Sequence, residues 1–257
     1  MSTSLTFLGA AGFIIEGPHQ RILVDPFLTN NPVAPCGPEE LGAPDVILVS
    51  HAAHDHLGDT AAIARRTGAP VVCDDAVARL LVEAGVPRDR IRATIWGVVV
   101  EVAGMRIRPV ECHHWSVGTL ASGQQVVGTP LAFVVETEPG VRFYHYGDTA
   151  IFDMTLIGSL YAPTVALLGC TVPSEIGHLT PGAGRIVSGE MDADECARVA
   201  EMLGVRLAVA CHYLEPDDEV ARFLRLVPEY DTTGLRRAVA PRVGETIELV
   251  PAELALS

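Results

Sequence analysis

At 257 residues and 49% hydrophobic, the chain is long enough to bury a sizeable core, and layered α/β folds of this length form as one unit. The formal net charge is −14 and all 18 basic residues are arginine, which excludes a Schiff-base or phosphate-loop lysine and sets the chain against nucleic-acid backbones and anionic membranes. Six scattered cysteines without a Cys-x-x-Cys pair, several of them inside apolar runs, predict reduced, buried thiols and a cytoplasmic protein.

The apolar start from Leu5 to Ile15 has no Lys or Arg before it and is continued by Arg21-Ile22-Leu23-Val24-Asp25, the pattern of a hairpin rather than a signal peptide. Residues 5–16 and 21–26 read as strands paired around the Gly17-Pro18 turn, and 30–44 as a loop rich in Pro, Asn and Gly. A buried strand, Asp45 to Val49, comes next. The spacing then predicts a helix over 58–67, a strand over 70–73 and a helix over 76–84. Residues 91–102 and 105–112 read as a β-ribbon around Ala103-Gly104, and 116–130 as a Gly- and Ser-rich loop. Strands are expected at 131–136, 141–146, 164–168 and 207–211, with a last one at 246–250. Helices are expected at 192–203, with acidic residues in its first turn, and at 217–227. Two runs of strands, each followed by helices, imply two mixed sheets packed face to face with helices outside, a four-layer αββα sandwich. The chain reads as one domain over 1–257, with residues 171–189 as a loop insertion of little periodicity, and no apolar stretch is long enough to span a bilayer.

Chemistry concentrates where strand-like runs end. Ser50-His51-Ala52-Ala53-His54-Asp55-His56 places three histidines and an aspartate in six positions directly after a buried run. Imidazole nitrogens and carboxylate oxygens are the donors that borderline-to-hard divalent cations take. Further along stand Cys112-His113-His114-Trp115-Ser116, then Tyr146-Gly147-Asp148-Thr149, and last Cys211-His212-Tyr213. Strand alternation does not choose between His113 and His114, because Met105 and Ile107 favour one face while Val110 and Cys112 favour the other. A carboxylate can give one oxygen to each of two cations, which a neutral imidazole cannot, so Asp148 suits a bridging position.

These clusters, in this order, resemble the metallo-β-lactamase superfamily, whose signature reads His-x-His-x-Asp-His. His51, Asp55 and His56 match its first, third and fourth positions; Ala53 stands where the second histidine would be. His114-Trp115-Ser116 is similar to the ligand segment of the L-ascorbate-6-phosphate lactonase-like and N-acyl-phosphatidylethanolamine phospholipase D-like branches, which favours His114 as the ligand. The start of the chain, Phe7 to Glu16 and Ile22 to Phe27, looks like the N-terminal hairpin of the lactonase-like branch.

The resemblance implies the αββα fold and a metal centre of one or two ions, Zn²⁺ by the donor set and Mn²⁺ as the alternative. One position would take Asp55, His56 and His212, with Asp148 shared. The other would take only His51, His114 and Asp148 unless His54 or His113 swings in. Asp55 and Asp148 would be the catalytic carboxylates, Asp55 orienting a metal-activated water and relaying its proton. Asp25 would brace the metal loop by hydrogen bonds, and Trp115, His145, His178 and Tyr213 are candidates for the substrate pocket. No Gly-x-Ser-x-Gly nucleophile competes for the role. The expectation is therefore a hydrolase acting on a lactone, carboxylic ester or phosphodiester of a small molecule. Two rivals are a degenerate metal-binding protein, for which Ala53 is the motive, and a redox diiron protein, whose branch carries Glu at the position of Ala53.

Overall fold

A computed structural model of the chain describes residues 2–172, 183–184, 186 and 189–254. Among them, two seven-stranded sheets face each other. The first opens with an antiparallel meander of β1 (Thr3–Gly9), β2 (Gly12–Glu16) and β3 (Arg21–Val24). It continues in parallel through β4 (Val46–Leu48), β5 (Val71–Cys73) and β6 (Ile91–Ala93), joined by the helices α1 (His54–Leu57), α2 (Thr60–Thr67) and α3 (Asp75–Glu83). The second sheet begins antiparallel, with β7 (Val100–Val102), β8 (Met105–Val110), β11 (Ala132–Glu138) and β12 (Val141–His145). A hairpin of β9 (Ser116–Thr119) and β10 (Gln125–Gly128) intervenes and packs on α3. Parallel strands β13 (Val165–Gly169), β14 (Leu207–Cys211) and β15 (Arg237–Val239) complete this sheet, and β16 (Thr246–Leu249) returns to pair with β1. The helices of this half are α4 (Thr155–Tyr161), α5 (Ala193–Leu203), α6 (Asp218–Glu229) and the short α7 (Pro251–Leu254). No helix among the described residues is long and apolar enough to cross a membrane.

The first sheet is apolar on both faces, and its alternation shows why. Leu5, Phe7, Phe13, Ile15, Ile22, Val24, Val46, Leu48 and Val72 turn toward the second sheet, where they meet Ile107, Phe133, Val135 and Phe143. Leu8, Ile14, Leu23, Ile47, Val49 and Val71 turn the other way, onto Ile63 of α2 and Val77 and Leu81 of α3. A strand covered on both sides has to read as an unbroken apolar run. Each such fully buried side chain contributes about 1.5–3 kcal/mol.

Three sequence expectations need correction. Residues 5–16 are two strands, not one: the chain reverses where Gly9 and Ala10 both adopt positive φ, 92° and 48°. Residues 91–102 do not form one arm of a ribbon. β6 ends the first sheet, the chain turns at Gly97 (φ 77°), and β7 begins the second sheet. Residues 116–130 are the β9–β10 hairpin rather than a loop. Its glycines mark close approach: a Cβ on Gly128 would stand 2.1 Å from the Asp74 carboxylate that caps α3.

Between α6 and β15 the chain is held by one carboxylate. Asp231 accepts from the backbone N–H groups of Thr233 (2.9 Å), Leu235 (2.6 Å) and Arg236 (2.7 Å) and from the Thr233 hydroxyl (2.7 Å), with the Arg236 guanidinium at 3.4 Å. Burial opposes its charge, but these donors outweigh it and hold the carboxyl well below the usual range. A depressed folded-state pKa stabilises above the unfolded value and loses that stabilisation as pH falls through the folded one. Asp231→Asn is therefore expected to cost about 1–3 kcal/mol at pH 7, a gap that narrows below roughly pH 4. Urea unfolding of both proteins at pH 7 and pH 3 checks this, and an equal gap at both would refute it.

Candidate metal centre

In the second sheet β8 runs with β12, β13 and β14, since each is antiparallel to β11 or parallel to its neighbour. The carboxyl ends of these strands share one edge of the sandwich with the ends of β3 and β4, where ligand sites of α/β sheets form. Cross-links hold the two edges together. His212 N–H donates to the Ala10 carbonyl (2.7 Å), Ala10 N–H to the Tyr213 carbonyl (3.1 Å), and Leu131 N–H to the Ser50 carbonyl (2.9 Å).

Asp25 follows β3 in a left-handed conformation (φ 42°) and is fully buried. Its carboxylate accepts from the Ser50 N–H (2.8 Å) and hydroxyl (2.7 Å), and lies 2.8 Å from His56 Nδ1. With Nδ1–H engaged there, His56 presents Nε2 to Asp148, 2.8 Å away. The Ser50 oxygen, its proton given to Asp25, accepts from His51 Nδ1 at 3.0 Å. His51 Nε2, on a side chain 1% exposed, makes no hydrogen bond among the described residues.

Asp148 hangs on a left-handed pair, Gly147 (φ 61°) and Asp148 itself (φ 65°). Position 147 must be glycine, because a Cβ would stand 2.2 Å from the Leu131 carbonyl oxygen. Asp148 Oδ2 lies 3.5 Å from His212 Nε2 and 3.7 Å from His51 Nε2. Asp55, on α1, lies 3.4 Å from His212 Nε2 and 3.8 Å from His56 Nε2, and its quarter-exposed side chain marks the mouth of the site. His114 stands edge-on to the His51 ring, with centroids 4.8 Å apart and Nδ1 2.9 Å from the Gly189 carbonyl.

His51, Asp55, His56, His114, Asp148 and His212 thus come together, with Asp25 behind them. The other sequence candidates do not join them. His54 is 84% exposed, edge-on to Phe27, and His113 turns outward to Glu111 (2.7 Å) and stacks on Phe152. His145 is buried below the site with Nε2 3.1 Å from the Ala11 carbonyl, and Tyr213 spends its hydroxyl on the Pro241 carbonyl (2.6 Å). His145 is 2% exposed and the Tyr213 hydroxyl is already engaged, so neither stands where a substrate would meet it, a correction to their placement in the pocket. Trp115 does lie at the rim, half-buried and stacked on His114 at 4.5 Å. His178 and most of the 171–189 excursion fall outside the described residues. Its two ends do reach the site: Thr171 donates to the His212 carbonyl (2.6 Å), and Gly189 accepts from His114.

Sequence reasoning missed Glu190. Its carboxylate is nearly buried and lies 2.9 Å from His212 Nδ1. The signal available was only that the connection from β13 to α5 had to start at the strand-end edge.

The imidazoles and carboxylates of the site shift one another strongly. Burial, aided by neighbouring His56, pushes His51 well below the usual imidazole range. Burial acts the same way on His56 and His212, but carboxylates overturn it: Asp148, Asp25 and Asp55 raise His56, and Asp148 and Glu190 raise His212. Burial would raise Asp55 and Asp148, yet these histidines hold both below the ordinary carboxylate range. A cation entering here must displace protons from His56 and His212, so its binding strengthens as pH rises. Three overlapping sets of donors lie close enough to share an ion: His51, His56 and Asp148; Asp55, His56 and His212; Asp148, Glu190 and His212. Mixed imidazole and carboxylate donors, with the bare His51 Nε2 among them, fit a divalent cation.

The beta-lactamase superfamily domain model matches residues 20–213. A UPF0173 metal-dependent hydrolase of Rubrobacter xylanophilus is 37% identical, over 82% of this chain and 81% of its own length. One of Thermococcus onnurineus is 41% identical, over 80% of this chain and 83% of its own. The solved structure of Igni18, a metallo hydrolase from Ignicoccus hospitalis, superposes with a TM-score of 0.74 at 25% identity, covering 97% of this chain and 99% of that one. The chain belongs to the metallo-β-lactamase superfamily and, within it, to the UPF0173 metal-dependent hydrolases.

Proposed function

We propose that the protein hydrolyses a lactone, carboxylic ester or phosphodiester of a small molecule, with Zn²⁺, or Mn²⁺ in its place, held by His51, Asp55, His56, His114, Asp148 and His212. One observation carries this reading: Asp148 Oδ2 lies within 3.7 Å of the inward nitrogens of His51, His56 and His212, which reach it from the end of β4, from α1 and from the end of β14. A divalent cation held there would bring the pKa of a bound water down to about 7 and would polarise the electrophile.

The protein's own residues supply the rest. Asp25 and Ser50 fix the ring orientations of His56 and His51. Asp55, beside His56 and His212 and open to solvent, orients the attacking water and takes its proton. Trp115 offers an aromatic face at the rim. With a net charge of −14 and no lysine, the chain is a poor host for a polyanion, which favours a small substrate.

The test is a panel of lactones, aryl carboxylic esters and aryl phosphodiesters, run on protein of measured metal content, before and after chelation and refilling with Zn²⁺ or Mn²⁺. Turnover on at least one class, lost on chelation and restored by metal, is expected. Tight metal binding with no turnover on any class would favour a non-hydrolytic binding protein. Stoichiometric iron with visible absorbance would favour redox chemistry.

A further inference from the structure

Tyr146 stands where β12 leaves the second sheet and the turn that carries Asp148 begins. Its N–H donates to the Leu167 carbonyl (3.2 Å) and its carbonyl accepts from the Thr149 N–H (3.3 Å), so the backbone that bears the ring is fixed. The side chain is fully buried and edge-on to the His212 ring, with centroids 6.2 Å apart. Its tip lies across the end of β13: a Cβ on Gly169 would stand 2.0 Å from the phenol oxygen and 2.2 Å from the ring carbon that bears it. Gly169 is not among the glycines with positive φ, so its backbone conformation does not require glycine. The close approach of the phenol does.

The Tyr146 hydroxyl, so placed, makes no hydrogen bond among the described residues. The other buried tyrosines are engaged, Tyr144 with Met154 Sδ (3.6 Å) and Tyr213 with the Pro241 carbonyl (2.6 Å). A buried phenol ordinarily finds a partner, because a dry, unpaired O–H is costly. Asp148, two residues on, has an acceptor to match. Its Oδ2 faces the imidazoles of His51, His56 and His212, while its equally buried Oδ1 makes no hydrogen bond among the described residues. The two groups are close neighbours: after burial itself, the Asp148 charge does most to push the phenol above its usual range. An unpaired donor and an unpaired acceptor thus lie beside each other under the site.

Resting on the metal-dependent reading above, we infer that Tyr146 is a positioning residue for Asp148. In the loaded site its hydroxyl donates to Oδ1 and so keeps Oδ2 turned to the cation that the three imidazoles share. Gly169 serves the same end by leaving room for the phenol. A group that hydrogen-bonds a ligand in this way sets its orientation and its strength as a donor.

The test uses the full chain, stripped by chelator and titrated with Co²⁺, comparing wild type with Tyr146→Phe. Phenylalanine keeps the ring and its packing against Gly169 and removes only the hydroxyl. Urea unfolding of the metal-free proteins, Co²⁺ affinity and the visible d–d absorption of bound Co²⁺ are measured. Because the hydroxyl bonds nothing in the fold, metal-free Tyr146→Phe is expected to be at least as stable as wild type. Its Co²⁺ affinity is expected to fall tenfold or more, with a changed visible band. Wild-type affinity and spectrum in the folded variant would overturn the inference and leave the metal-dependent reading standing. A variant that unfolds far more easily without metal would also overturn it, since the hydroxyl would then serve the fold. A wild-type chain that takes up no Co²⁺ overturns both.

Discussion

Alanine at His56 or at Asp148 is expected to strip the protein of metal and of metal-dependent turnover together, while the fold persists. His56 Nε2 and Asp148 Oδ2 face each other at 2.8 Å in the middle of the donor cluster, and the same Asp148 oxygen lies 3.7 Å from His51 Nε2 and 3.5 Å from His212 Nε2. Losing a group that only hydrogen-bonds a ligand typically costs 10–100-fold in affinity or activity. Losing either of these two should cost more than that, on the order of a thousandfold in turnover. Metal analysis after equilibration, circular dichroism and turnover on the reactive substrate class are the measurements. Full metal occupancy and full turnover in both variants would remove the site assignment.

The second large effect falls on stability. Asp25 is fully buried and serves Ser50 N–H, Ser50 Oγ–H and His56 Nδ1–H at once. Asp25→Ala removes the one acceptor shared by three buried donors, leaving only Ser50 Oγ, 3.1 Å from His56 Nδ1, as a substitute for the ring, and places a residue with no local hydrogen-bonding side chain at φ 42°. A loss of about 3–5 kcal/mol is expected, which for a chain of this length lowers Tm by on the order of 10 °C. Asp25→Asn, whose amide oxygen can serve only part of this set and which tolerates left-handed backbone, should lose less. Chemical unfolding of the metal-free proteins measures the effect apart from metal. A cost below about 1 kcal/mol for Asp25→Ala would mean that the network does not hold the loop.

The layered architecture was legible because the apolar runs at 5–16, 21–24, 46–49 and 207–211 serve strands buried on both faces, a pattern sequence shows directly. The crossing from β6 to β7 was not, since both are edge strands of three residues with at most one buried side chain each, and an edge strand carries little hydrophobic signal. At the site, the histidine cluster, Asp148 and His212 were read from their places at the ends of those runs. The choice between His113 and His114 resisted strand alternation for a physical reason: β8 stops at Val110, so residues 111–115 obey no two-residue period. His145 misled in the opposite way. It still belongs to β12, where alternation sends it under the loop that Asp148 caps. Glu190 had no motif to announce it, because its position is set by contacts with His114 and His212 that are remote in sequence.

The stacking of Trp115 on His114 also makes the centre optically legible. The chain has two indoles, and both border this edge: Trp115 lies face to face with His114, and Trp96 donates to the Pro130 carbonyl (2.7 Å) with its ring 6.5 Å from His113. An excited indole loses its energy more readily to an electron-poor ring pressed against it. Any change in what His114 carries on its far nitrogen therefore alters the brightness of the adjoining indole. An intrinsic fluorophore thus sits at the lip of the candidate site, and a change in indole emission on adding a divalent cation is the expected label-free readout of its occupancy.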